Sequence, residues 1–472
     1  MWLVAFLSSA VALPDVQVYA DEQGSMLITE GRPFFVQGMN WGYVPVGENY
    51  SYNLWGQSEA FIKEVLDREM PMLQSIGINS IRQYAGIPPR WVEYIYKNYG
   101  IYTMINPLVG RYGVDVDGVF IPVTNYEDPK IRAVITKQTL DIVQQYKETD
   151  GILLWLLGNE NNYGLHWSSF EIEALPTEDQ GSAKAKFLYS LYGELIDAIH
   201  EIDSNHPVSI ANGDLQYIDL IKKYCPNLDI LGSNVYRGIS ARDLYEEVEE
   251  KLNIPIMYTE FGADAFDAKN MREDSQAQAY YLKGQWKELY LQSYNKGRVG
   301  NAIGGFTFQW SDGWWKYLQE SNLDVHDTNA SWPNGGYPHD YVEGKNNMNE
   351  EWFGITAKSL PDKDGHYDLY WRPAAYVLQD IYKLSAYHPT TDSKLIESHF
   401  STIDPSIYTP IYQGNYAQAQ QKEKQRFGIK NSRVELSFIG SQTPDFDWNM
   451  DHMESVYTTI EANPVGGVTT EI

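Results

Sequence analysis

Two glutamates close apolar runs in this chain: Glu160 in Leu156-Leu157-Gly158-Asn159-Glu160, and Glu260 in Ile256-Met257-Tyr258-Thr259-Glu260-Phe261-Gly262. Both runs are β-prone, and each breaks at its carboxylate. The two lie 100 residues apart, which suits separate strands delivering side chains to one cleft. Such a pair can cleave a glycosidic bond: a protonated carboxyl gives its proton to the leaving oxygen, and an ionised one attacks the anomeric carbon. For that division Glu160 must hold a proton near neutrality, which partial burial and a nearby Glu260 anion would favour. Glu260 must stay ionised, which the cation of Arg82 would secure. A structural salt bridge at Arg82 is compatible with that role. Asn159 is placed to hydrogen-bond a sugar 2-hydroxyl, an interaction that strengthens at the transition state.

A strand that delivers a carboxylate at its C-terminal end is what the active face of a (β/α)8 barrel requires. Short apolar runs at 34–40, 78–83, 101–106, 152–158, 207–211, 229–235, 255–260 and 303–309 read as eight strands. Helical periodicity separates them: Ile62, Val65, Leu66, Leu73 and Ile76 share a face of 58–76, and Asp128-Pro129 opens another helix. Residues 181–203, 214–224, 240–252 and 274–295 follow the same pattern, and Arg372-Pro373 opens a last helix to about Leu384. The fold class is therefore α/β, an eight-stranded barrel. An open doubly wound sheet is the runner-up, but it gives no reason for glutamates to end two separate strands. A hairpin over 26–39 precedes the barrel. Beyond about residue 385 the rhythm stops, so the reading is a barrel over 21–385 and an appendage over 386–472, partly β (Val434, Leu436 and Phe438 alternate with polar neighbours) or tail.

Composition narrows the substrate. With 43% hydrophobic and 21% charged residues the chain is globular. Its formal net charge of −27 repels phosphate backbones and anionic lipid, so nucleic acid is not an expected partner, and neither are strongly anionic polymers. Neutral sugars are indifferent to that field. Aromatics reach 14%, and Trp41, Trp55, Trp167, Trp314, Trp315 and Trp332 fall in expected loops, where a flat ring can meet the C–H face of a pyranose. The single cysteine, Cys225, rules out an intramolecular disulfide or a thiolate zinc cluster. Residues 2–13 are nearly all apolar, too short to span a bilayer but suited to a signal peptide within 1–20, with cleavage after Ala10-Val11-Ala12 or Val18-Tyr19-Ala20. Export is the expectation, with no transmembrane segment. Asp312, Asp324 and Asp327 share a late loop without calcium-loop spacing, so no metal and no cofactor are expected. Nothing in the sequence sets an oligomeric state.

Over most of 26–384 the chain resembles the clan of retaining (β/α)8 glycoside hydrolases. The resemblance implies Glu160, after Asn159 on strand four, as acid/base and Glu260, in Thr-Glu-Phe-Gly on strand seven, as nucleophile. It implies that Arg82 in Ser-Ile-Arg-Gln-Tyr holds the nucleophile ionised and that Tyr236 in Ser-Asn-Val-Tyr hydrogen-bonds it. It also implies that Trp310 in Phe-Gln-Trp-Ser-Asp floors the sugar subsite. Within the clan the chain is most similar to the catalytic domain of family 2, through Glu30-Gly31-Arg32-Pro33-Phe34-Phe35-Val36-Gln37-Gly38-Met39-Asn40 and Trp371-Arg372-Pro373-Ala374-Ala375-Tyr376. The stretch from Ile81 to Tyr102 also resembles fungal cell-wall β-1,3-glucanosyltransferases. Asn40, Trp41 and His166 join the candidate sugar contacts. The β-glucuronidases of family 2 grip the uronate with an Asn and a Lys before the last helix. The matching stretch here, Asn346 to Gly354, has Glu350 and Glu351 and no Lys, which argues against a uronic acid.

Three functions fit these residues. The first is a retaining β-glycosidase on a neutral β-linked glycan. The second is a transglycosylase using the same site, and the third a non-catalytic sugar-binding barrel. Intact Glu160, Glu260 and Arg82 count against the third.

Overall fold

Strands buried on both faces need no polar alternation, and the run Ile152–Leu157 is apolar throughout and buried at every position. In a computed structural model that describes residues 15–84 and 86–426, eight such strands close into a parallel barrel. They are β1 (Val36–Asn40), β2 (Ser80–Arg82), β3 (Tyr102–Ile105), β4 (Ile152–Leu157), β5 (Val208–Gly213), β6 (Ile230–Asn234), β7 (Ile256–Phe261) and β8 (Ala302–Thr307). One helix follows each strand: α1 (Glu59–Ile76), α2 (Pro89–Tyr99), α3 (Pro129–Tyr146), α4 (Thr177–Ile202), α5 (Ile218–Tyr224), α6 (Leu244–Lys251), α7 (Ser275–Leu291) and α8 (Pro373–Ile381). The barrel closes where β8 pairs with β1, Thr307 opposite Met39.

Local chemistry sets these boundaries. Ser58 accepts from the Phe61 amide to start α1, and Gly77, at φ +106°, ends it in a conformation that other residues rarely adopt. Asp128 caps α3 through the Lys130 amide, with Pro129 at the first helical position. Helix α2 was not among the expected helices. Pro88-Pro89 reads as a break, yet Pro89 sits in the first turn, where no amide donor is needed.

Val16–Asp21, Gly24–Thr29 and Arg32–Phe34 form an antiparallel sheet ahead of β1, one strand more than the expected hairpin. Its Val16 and Leu27 join Val36, Met104, Leu154 and Phe306 in one buried cluster, and Ser25 N–H reaches Gly300 O just before β8. The sheet thus plugs the end where the barrel strands begin. The triplet Val18-Tyr19-Ala20 lies in its first strand; the apolar run 2–13 and Ala10-Val11-Ala12 lie outside the described residues.

The helical rhythm does not stop at 385. Helix α9 (Ser393–Ser401) starts at Asp392, which caps the Leu395 amide, and it buries Ile396 and Phe400, four residues apart. Phe400 meets Tyr290 of α7 edge-on at 5.4 Å, and Lys287 pairs with Glu397. Helix α10 (Thr409–Arg426) turns Tyr412 and Tyr416 inward, and the Tyr412 hydroxyl donates to Glu273 at 2.7 Å. Residues 386–426 therefore continue the helical layer. The alternating stretch Val434–Phe438 lies outside the described residues. No described helix is long and apolar enough to cross a membrane.

Candidate active site

Strict alternation along β7 would turn Glu260 outward with Tyr258, whose hydroxyl donates to Tyr245 of α6. The register of β7 slips against both neighbours, so Ser233 faces Tyr258 while Asn234 faces Glu260. Phe261, not Glu260, then points outward and meets Trp286 at 5.3 Å. The slip acts as a bulge that re-aims one side chain. Glu260 is brought into the barrel mouth, 7% exposed.

Three donors converge on its carboxylate. Arg82 Nη1 lies 3.1 Å from Oε1, the Tyr84 hydroxyl donates to Oε1 at 2.5 Å, and the Tyr236 hydroxyl donates to Oε2 at 3.2 Å. Arg82 is fully buried and spends its planar fork on neighbouring strands. Nε donates to Asn106 Oδ1 at 3.0 Å, Nη1 also to Thr259 O at 3.1 Å, and Nη2 to Asn159 Oδ1 at 2.8 Å. Both tyrosine hydroxyls are pushed well above their ordinary range, first by burial and then in part by the Glu260 charge, which keeps them protonated donors.

Glu160 follows β4 across a tight turn. Gly158 takes φ +74°, and a Cβ there would lie 2.1 Å from the Tyr192 hydroxyl. Glu160 itself is left-handed at φ +51°, an uncommon state for a non-glycine residue, and its amide is held by Ala211 O at 2.8 Å. Its carboxyl is raised to about 7, first by burial and second by the negative charge of Glu260. The Asn234 amide, Arg111 and Arg82 pull the other way without cancelling the effect. A carboxyl that holds its proton up to near neutrality thus stands beside one that accepts from a guanidinium and two hydroxyls.

Five expected residues, Glu160, Glu260, Arg82, Asn159 and Tyr236, come together at the C-terminal ends of β4, β7, β2 and β6. Asn159 Nδ2 donates to the Tyr112 hydroxyl at 3.0 Å, and its Oδ1 accepts from Arg82 and Asn234. Asn40 does not face a sugar. Its amide donates to Thr259 O and Phe306 O, both at 3.1 Å, so it joins β1 to β7 and β8, and its Oδ1 lies 3.1 Å from the Tyr84 hydroxyl, whose one proton goes to the nearer Glu260.

Trp310 and Trp41 depart from expectation. Trp310 is 0% and Trp41 2% exposed, and both indole N–H groups donate to one carboxylate oxygen of Glu69, at 3.0 and 2.8 Å. Neither ring floors a subsite. Glu69 reaches them from the apolar face of α1, and burial raises its carboxyl to about 7. His166 is exposed on the loop after β4, and Trp167 beside it packs on Tyr126. Asp312 forms a bidentate pair with Arg372 at 2.6 and 2.8 Å, and Asp327 pairs with Lys316 at 3.0 Å. These two acids are structural. Among the described residues, Asp267, Asp274 and His339 are close enough to share an ion. Asp274 already caps α7 and binds His339, while Asp267 accepts from the amides of Lys269 and Asn270.

Tyr84, Asn106, Tyr112 and Asn234 were not expected in this network. Tyr84 and Asn234 each stand within two residues of a residue already singled out, Arg82 and Tyr236; that adjacency was the only signal.

No protein-family model matches the chain, and no curated protein matches it in sequence. Solved structures do match it in fold. An agarase superposes with a TM-score of 0.51 at 14% identity, over 80% of this chain and 64% of that one. A β-glucuronidase from Bacteroides uniformis gives 0.50 at 14%, over 78% and 37%. A GH2 β-galacturonidase from Eisenbergiella tayi, bound to galacturonate, gives 0.48 at 14%, over 79% and 55%. The chain spans less than two thirds of each. The likeness is one of fold: this is a (β/α)8 barrel of the kind those enzymes contain.

Proposed function

We propose that the protein is a retaining β-glycosidase acting on a neutral β-linked glycan. The observation that carries the reading is the contrast between two neighbouring carboxyls. Glu160 is kept protonated near neutrality, while Glu260 accepts from Arg82, Tyr84 and Tyr236. In the first half-reaction Glu160 protonates the glycosidic oxygen as the Glu260 carboxylate attacks the anomeric carbon. The C–O bond to the leaving group breaks and a glycosyl ester forms. In the second, Glu160 takes a proton from water, which attacks the ester and releases Glu260 as the anion. The agarase and β-glucuronidase that share the barrel are consistent with sugar chemistry. A uronate is a poorer fit than a neutral sugar, because the stretch Asn346 to Gly354 offers Glu350 and Glu351 and no Lys. Transfer to a second sugar instead of water uses the same ester.

The test is a trap. A 2-deoxy-2-fluoro glycoside of the right sugar slows the second step, and peptide mapping should place the sugar on the peptide containing Tyr258-Thr259-Glu260-Phe261. A label on another carboxylate, or an inverted product from the unmodified protein, would overturn the assignment of both glutamates.

A further inference from the structure

From Asn159 a line of aromatic rings leads away from the paired carboxyls along the barrel mouth. Tyr112, whose hydroxyl accepts from Asn159 Nδ2, lies 5.4 Å from Tyr317, Tyr317 lies 5.9 Å from Tyr50, and Tyr50 lies 5.9 Å from Trp315. Successive planes are tilted by 46°, 47° and 55°, so no ring covers the face of the next. The core pair Tyr43 and Tyr367, at 4.5 Å and 17°, shows the stacked alternative. Tyr50 is 43% and Tyr317 39% exposed, and Tyr112 and Trp315 are half-buried.

The rings are held in place. They come from the loops after β1, β3 and β8, and the first and last of these are tied together by Asn49 Nδ2 to Gln319 O (2.9 Å), Gly47 N to Leu323 O (2.9 Å) and the Tyr50 hydroxyl to Glu320 (2.8 Å). Lys316, between Trp315 and Tyr317, is anchored to Asp327 and to Asn329 O. Exposed faces on a braced scaffold suit a ligand that stacks, and the net charge of −27 disfavours an anionic one. We propose that Tyr112, Tyr317, Tyr50 and Trp315 form a binding strip for further pyranose rings of a neutral glycan chain, continuous with the site at Glu160 and Glu260. The strip rests on the glycosidase reading and deepens it: the cleft takes an oligosaccharide or polysaccharide, not a lone terminal sugar.

The test measures binding apart from turnover, by calorimetry on the full chain carrying Glu160→Gln. The probes are cello-, laminari-, manno- and agaro-oligosaccharides from disaccharide to hexasaccharide. At least one series should bind more tightly with length. Adding Tyr50→Ala and Tyr317→Ala should weaken the hexasaccharide by about tenfold or more and flatten the length dependence, the scale of losing two stacking rings. Tyr50→Phe and Tyr317→Phe keep the faces and should keep the gain. Affinity independent of length, a gain that survives both alanines, or no binding by any series would each overturn the strip. Labelling of Glu260 by the fluoro glycoside reports on the catalytic reading separately, so the two can fail independently.

Discussion

Glu160→Gln should make this protein more stable and less active, with both effects set by pH. The folded state raises the Glu160 carboxyl to about 7 from an ordinary value of 4.5. The fold therefore binds that proton more tightly than the unfolded chain does. Stability from this group is fully present below about pH 4.5, declines as pH rises, and is lost above about 7. At about 1.4 kcal/mol per pH unit the interval is worth roughly 3 kcal/mol, an upper figure because Glu160 is only partly buried and solvent screens its charge. Glutamine cannot ionise, so the variant should gain up to roughly 3 kcal/mol over wild type at about pH 8 and almost nothing at about pH 4.5. Urea midpoints at the two pH values, with unchanged slopes, measure the difference. The activity of wild type on glycans with poor leaving groups should fall as pH passes about 7, where Glu160 loses its proton. In kcat/KM, which extends only to formation of the ester, activated aryl glycosides need little protonation and should escape most of the loss in the variant. An equal stability gain at both pH values would refute the raised carboxyl. Equal losses of kcat/KM on both substrate types would remove Glu160 from the acid role.

Two further substitutions separate core from cleft. Trp310→Ala should destabilise by about 3–5 kcal/mol, because a wholly buried ring leaves a cavity and Glu69 loses one of its two indole donors; weakened glycan affinity at an unchanged melting temperature would put the ring back in the cleft. Tyr84→Phe should lower kcat/KM by about 10- to 100-fold, the scale of a hydrogen bond to a charged group, with little change in melting temperature. Full activity in that variant would show that Arg82 and Tyr236 suffice for Glu260.

The barrel was legible because its signals are local and repeated. Each strand is a short apolar run, and α1 and α3 carry caps at Ser58 and Asp128 that mark their starts. Helix α2 escaped because the proline pair that begins it also reads as a break. Helix α10 escaped for a different reason. Among the described residues its buried stripe is Tyr412, Tyr416 and Ala419, on a segment rich in Gln and Lys, too narrow to stand out from solvated sequence.

At the site, strand ends were legible and side-chain direction was not. Glu160, Arg82 and Glu260 could be placed at the mouth because a polar residue ending an apolar strand has few other destinations. Whether a ring beside them faces sugar or core depends on what covers it from other elements. For Trp310 and Trp41 the answer lies in Glu69, a charged residue that helical spacing puts on the apolar face of α1. Its neighbours Val65, Leu66, Met70 and Leu73 mark the buried face of α1, and Glu69 stands on that face. A carboxylate there needs donors, and the two indoles supply them. On the proposed reading the aromatics that meet a glycan are the tilted, partly exposed rings of the loops, not the enclosed ones that follow β1 and β8. This division follows from where each ring satisfies its polar edge: Trp41 and Trp310 point theirs at the buried Glu69, while Tyr50 turns its hydroxyl to Glu320 and stays 43% exposed.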